Sequence, residues 1–458
     1  MKKLFFVLII LFFIVTYIQS EEESEETIID NPVIEDNTDI SQPIISGNEE
    51  EPVLPGKTPF RIQDRVFFEI GLMNIDFGIA NNFIRPFDFF RRGKTVELDF
   101  TNVNTGFDLG FDANIQPLFF NLMFNDDWGI GLDIARITAY GNLEIAGSLL
   151  QFNRTGTSGD KFGAGAAIFT EIGIPAYINI KRVWEERALK INFRPAGYVP
   201  LLYTVPDMTY YFFDREVDGQ PSTYLGVDFK AKIFTPFRLS MEDGFDIDMS
   251  TFNVGSSLGI DISLGAEFPL FRWIDVGVDF INIPIVPSRL KYYMLIEDSV
   301  WMDTSKIGVG DLLGNDDFPE DFFYFPEDND PKYGIDEQFF FRPFKMIFFA
   351  DFRLFQLLDL FNTPVISILP AIGFSINPVF VNVASVEAAL KFRVNLANLF
   401  ITTFGFAYED QMWKNGIDFI LNFRAFELGL GISMQSQDFV KSWEAAGIRA
   451  NFGLKFGW

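Results

Sequence analysis

Ile448-Arg449-Ala450-Asn451-Phe452-Gly453-Leu454-Lys455-Phe456-Gly457-Trp458 closes the chain and alternates without a fault. Ile448, Ala450, Phe452, Leu454, Phe456 and Trp458 fall on one side, and Arg449, Asn451, Gly453, Lys455 and Gly457 on the other. A period of two belongs to a β-strand with one apolar and one polar face. Chain ends ordinarily fray into water, so an aromatic strand that runs to the carboxyl terminus needs a cover, either a protein core or lipid.

This segment resembles the closing strand of bacterial outer-membrane β-barrel proteins, which end in an alternating strand with a final Phe or Trp. Phe452, Leu454, Phe456 and Trp458 carry the match. The resemblance implies that lipid is the cover and that these four residues are the signal read by the barrel-assembly machinery. Chain length and strand number are also similar to those of the long-chain fatty-acid transporter barrels, although no motif of that family is found.

The other end fits export. Lys2 and Lys3 precede an apolar run from Leu4 to Val15, and Ser20 stands before a cluster of acids, so 1–20 reads as a secretory signal peptide. That run is shorter than the ~20 apolar residues of a transmembrane helix, and no other segment approaches that length. Any crossing must then be made by strands. Residues 21–60 carry twelve acids against a single Lys with no periodicity, which predicts a disordered acidic periplasmic tether. Residues 61–458 are left for the barrel.

Composition narrows function. The 458 residues contain no Cys, which excludes disulfides and a lipid-modified cysteine, and no His, which removes the usual general base and imidazole metal ligand. No enzyme is expected, and no cofactor or metal. The formal charge of -27 argues against a nucleic-acid partner. Phe occurs 57 times against 13 Tyr and 7 Trp, a bias that suits a lipid-facing exterior.

From residue 61 onward alternating runs recur. Phe107 to Gln116, Leu258 to Glu267 and Val386 to Asn395 are clear cases. Others begin near Val66, Val96, Ile130, Phe162, Leu189, Leu225, Ile274, Phe344, Ile366, Phe400, Ile417 and Phe426. Some of the sixteen runs are expected to be halves of one long strand, which predicts a transmembrane antiparallel β-barrel of about 14 strands, within a range of 12 to 16.

Connection lengths support this topology. Counted back from a periplasmic carboxyl terminus, 435–447, 409–416 and 377–385 fall outside, whereas 424–425, 396–399 and 355–364 fall inside. The stretch 297–343, rich in Asp, Glu and Phe, becomes the longest outer loop. Its Asp328 and Asp330 begin like a calcium loop, but Lys332 and Tyr333 break that pattern. Ile75 to Arg92 does not alternate and reads as a rim loop or a short plug. Phe355 to Phe361 reads as an amphipathic helical turn at the inner interface. Asn153-Arg154-Thr155 fits a glycosylation acceptor, which in a bacterial barrel is simply a loop sequence.

The polar faces supply the candidate lumen residues: Asp108, Asp112, Asp261, Glu267, Asp275, Asp279, Lys391, Arg393, Arg449 and Lys455. Acids come mainly from early and middle strands and many bases from late ones. Such walls either tune ion passage through an open lumen or pair as buried salt bridges in a filled one. The expected function is a channel or transporter for small solutes in the bacterial outer membrane, with membrane lipid and the assembly machinery as partners. The alternative is a plugged structural or adhesin-like barrel that uses the acidic loop 297–343.

Overall fold

The computed structural model describes residues 67–81, 107–124, 128–145, 161–184, 187–204, 206–217, 220–240, 246–303, 323–324, 331–357, 365–378, 384–396, 399–423, 425–443 and 446–457. The signal segment 1–20 and the acidic stretch 21–60 lie outside them, as do the run near Val96, the Asn153 sequon and Asp328 with Asp330.

Every described strand of the main sheet pairs antiparallel with its neighbours. The simple ones are β1 (Phe67–Asn81), β2 (Phe107–Phe124) and β3 (Trp128–Ile145). The next five each consist of collinear pieces. β4 is Lys161–Gly173 plus Ala176–Trp184, interrupted by Pro175, and β5 is Arg187–Thr204 plus Asp207–Val217. β6 is Gln220–Thr235 plus Gly259–Phe271, and β7 is Ile274–Val286 plus Ser288–Asp303. β8 is Phe323–Tyr324, Lys332–Phe340 and Phe344–Arg353. The last six are β9 (Ile366–Ile376), β10 (Ala384–Leu396), β11 (Phe400–Glu409), β12 (Met412–Phe423), β13 (Phe426–Ser436) and β14 (Ile448–Gly457).

Register shows that the pieces belong together. Thr204 of β5 faces Ile233 and Tyr198 faces Gly259, so the two parts of β6 continue one line along the same neighbour. β14 then pairs with β1, from Glu69 opposite Gly457 to Ile79 opposite Ile448. The sheet is a closed barrel of 14 antiparallel strands. Closure satisfies the backbone donors and acceptors that an open edge would expose.

Polarity is inverted relative to a water-soluble fold. In β14 Arg449 is 5% exposed, whereas Phe452 and Phe456 are 37% and 36% exposed. Around the barrel Leu72 and Phe77, Ile130 and Leu132, Ile178 and Ile180, Ile372 and Phe374, and Leu430 and Ile432 all point outward. An exposed apolar belt of this extent is not tolerated by water, and it defines the architecture as that of a transmembrane β-barrel. Replacing Ile372, 62% exposed near the middle of β9, with Arg should therefore cost about 2–4 kcal/mol of folding stability in bilayers. Urea titration in vesicles measures this, and an unchanged midpoint would show that Ile372 meets water.

The two ends of the barrel differ. One collects the connections 125–127, 185–186, 272–273, 354–365, 397–399 and 424–425. The other collects 82–106, 146–160, 218–219, 304–322, 377–383, 410–411 and 437–447. The predicted short inner turns at 396–399 and 424–425 and the longer outer connections at 377–385 and 435–447 match this arrangement. Within 355–364, Leu354–Leu357 form one helical turn with Leu357 exposed, and 358–364 lie outside the described residues.

Three expectations are corrected. Ile75 to Asn81 is strand, because it continues the β1 ladder with both β2 and β14, while 82–92 lies outside the described residues. Much of 297–343 is also strand: β7 runs to Asp303 and β8 begins at Phe323, because β5 to β8 extend well beyond the ~9–11 residues that cross a bilayer. The 409–416 connection is only a two-residue turn, Asp410-Gln411, between Glu409 and its partner Met412.

Candidate functional site in the barrel lumen

The inward faces of β3 to β8 converge on one charge network. Arg342 lies between two pieces of β8, where Pro343 lacks a donor and the ladder pauses. Asn282, at φ 55°, bulges opposite this break and donates its side-chain amide to the Pro343 carbonyl at 3.0 Å. The freed Arg342 turns inward, 3% exposed, and grips both carboxylate oxygens of Asp261 at 2.6 and 2.5 Å. It also pairs with Glu171. Arg194 bonds Asp133 at 2.8 Å and pairs with Glu171, while Arg136 lies 3.7 Å from Glu171. Three acids and three arginines thus balance inside the wall, as buried charges require.

An aromatic cluster stands on the long-connection side of this network. Phe169 and Tyr198 flank the Arg342 guanidinium at 5.6 and 5.1 Å, within cation–π range. Phe340 packs against Phe169, Tyr198 and Tyr203, and Tyr203 stacks with Phe234. The Tyr198 hydroxyl donates to the Phe340 carbonyl at 3.0 Å. Further toward that end, Lys230 and Lys332 both pair with Glu297, and Lys232 pairs with Asp336.

The opposite wall contributes the tip of the β11–β12 hairpin. Asp410 and Gln411 have φ of 52° and 63°, the left-handed pair that a tight primed turn demands. Non-glycine residues adopt this conformation at a cost, so the tip must be held by its surroundings. Asp410 meets Lys345 of β8 at 2.8 Å and Lys414 at 3.6 Å, and its backbone amide donates to Glu387 at 3.3 Å. Glu409 is held by Lys414 at 3.4 Å and Lys391 at 3.7 Å. On the far side Met412 and Gln411 border a small space lined by Gly110, Asp112, Tyr140 and Asn142 of β2 and β3. The tip is thus tied to β8 on one side and faces β2 and β3 across this space on the other.

Outside this tip lies the short helix Phe439–Trp443. Trp443 packs on Phe406 and Phe439 on Trp413, while the buried Ser442 hydroxyl accepts from the Asn415 side chain at 2.7 Å.

Several of the residues expected to face the lumen are buried or half-buried beside a charged partner. Asp112 accepts from Arg449 at 2.7 Å, and Arg449 also pairs with Asp76. Asp261 is held by Arg342, Glu267 pairs with Lys190, and Asp275 pairs with Arg353. Arg393 meets Asp351 at 2.6 Å, and Lys455 meets Glu427 at 3.2 Å. Asp279 approaches Gly265 of the adjacent strand. The side chain of Asp108 and all of Trp458 lie outside the described residues. Glu171, Arg194, Arg342 and Asp410 are not among the candidates that the alternating faces supply. Arg342 carries one readable signal, a charge set between an aromatic run and a proline where alternation stops. Among the described residues no acidic group has the makings of a metal site.

No protein-family model and no curated protein matches the chain. Solved structures do. The toluene transporter TbuX of Ralstonia pickettii aligns over 88% of this chain and 91% of its own, at 9% identity and a TM-score of 0.38. The P. putida toluene transporter TodX gives 89%, 94%, 9% and 0.39. A Pseudomonas aeruginosa FadL homologue gives 86%, 90%, 8% and 0.36. At these values the functional reading rests on the geometry of this chain.

Proposed function

We propose that this protein is a bacterial outer-membrane channel or transporter for small solutes, closed in the conformation described. The inverted polarity and the closed sheet support the membrane setting, and the alternation of short and long connections supports a periplasmic position for the ends of β1 and β14. Phe452, Leu454 and Phe456, with Trp458, would then serve as the assembly signal.

One observation carries the transport reading. The hairpin tip at Asp410 is held to β8, three strands away, by a side-chain ion pair, whereas the wall is held by backbone ladders, so the first can yield while the second stands. Paired charge also leaves little net field for ion selection. The aromatic cluster of Phe169, Tyr198, Tyr203, Phe234 and Phe340 favours a small apolar solute. Reconstitution in planar bilayers should give brief, voltage-promoted openings on a mostly silent background. Silence at all voltages, together with no solute uptake by proteoliposomes, would overturn it.

The filled lumen also favours a second reading, a structural or surface-binding barrel using the projecting ends of β5 to β8. Removing 304–322 should then abolish surface binding while the barrel still folds.

A further inference from the structure

The outward surface of β6 and β7 carries a cluster of bases on a chain that is otherwise strongly acidic. Phe234 and Tyr293 pack against each other at a tilt beside the buried lumen cluster, so the neighbouring Tyr292, half-buried, lies on the outer side. The register of β7 against β8 shifts between Leu290, fully buried, and Tyr292, which places exposed Lys291 on the outer surface as well. Arg238, the first residue of the small hairpin Arg238–Ser240 and Asp246–Asp248 that leaves β6, reaches back over the same ring. The Arg238 guanidinium lies 5.4 Å and the Lys291 ammonium 5.7 Å from the Tyr292 centroid.

Neither base has a salt bridge among the described residues. Asp248, opposite Arg238 in register, turns its carboxylate to Ser250 instead. Arg289, next along the same surface, lies over Phe339 at 5.5 Å with only a long contact to Glu337 at 3.8 Å. The buried bases of the lumen, by contrast, sit against carboxylates. Two cations beside one ring, neither with a carboxylate partner, leave a local excess of positive charge that an anion would offset.

Position selects the anion. Toward the short-connection end β7 next exposes Ile285 and Val286, and β8 exposes Phe339 and Phe341. The bases therefore lie in the outer part of the apolar surface, level with exposed Ile335, where aromatic rings and snorkelling cations meet headgroups. We propose that Arg238, Lys291 and Tyr292, flanked by Arg289, form a docking surface for the phosphate of an outer-leaflet lipid headgroup. This inference rests on the membrane reading given above.

The test uses the full-length barrel in detergent, incubated with a bisphosphorylated glycolipid, its dephosphorylated form, or phosphatidylcholine, with retained lipid counted by native mass spectrometry. The wild type should keep the phosphorylated lipid selectively. The double variant Arg238→Gln, Lys291→Gln should bind it about 25-fold more weakly, at about fivefold per charge removed, while Lys291→Arg alone retains it. Equal retention of the phosphorylated and dephosphorylated lipids, or no loss in the double variant, overturns the proposal even if the barrel inserts into vesicles. Failure of the wild type to insert into vesicles overturns both this proposal and the membrane reading.

Discussion

Lys345→Ala should turn a mostly silent barrel into one that conducts steadily, and should lower its stability by about 3–5 kcal/mol. Lys345 is buried beside Asp410 and ties the hairpin tip to β8. Without it, a buried carboxylate keeps only Lys414, at 3.6 Å, and the strained turn at Asp410 and Gln411 loses its main restraint. Adding Asp410→Ala to Lys345→Ala should restore part of the stability, because the uncompensated charge is gone, yet leave conductance high because the tie is still missing. Single-channel recording and urea unfolding in bilayers separate the two effects. A silent Lys345→Ala barrel would show that the hairpin tip does not close the path.

Arg342→Leu should be comparably costly, about 3–5 kcal/mol, without opening the lumen. It strips the shared cation from Asp261 and Glu171, both nearly sealed from water. Arg342→Lys should recover only part of this loss. An ammonium cannot fork onto both oxygens of Asp261 while lying between the rings of Phe169 and Tyr198. Neutralising Asp261 and Glu171 alongside Arg342→Leu should recover more than the lysine does. Full recovery by lysine alone would mean that charge, and not the planar fork, is what the site requires. Unfolding midpoints of the four proteins decide this.

Alternation made the exterior and the strand count legible. The runs beginning at Leu225 and Leu258 read as separate, yet both belong to β6, since a 236–258 excursion separates two halves that still face the same neighbour. The extensions of β7 and β8 were hidden because a strand leaving the apolar layer gains charges such as Glu297, Lys332 and Asp336 and resembles a loop. The lumen was legible only as a set of inward positions. Pairing partners depend on which strands face each other across the interior, and no periodicity encodes that. Asp410-Gln411 escaped because a primed turn is ordinarily marked by Asn-Gly or Asp-Gly, whereas tertiary contacts enforce it here.

The union of β1 with β14 joins residues as distant in sequence as Glu69 and Gly457. Until the final ribbon arrives, each shorter chain presents two raw borders, and no local contact can seal them. Arg449 stitches this seam from within: it brings Asp76 of the first ribbon and Asp112 of the second to the last one, while the Ser436 hydroxyl donates to the Asn81 carbonyl nearby. Closure is thus secured by side chains contributed from strands far apart in sequence.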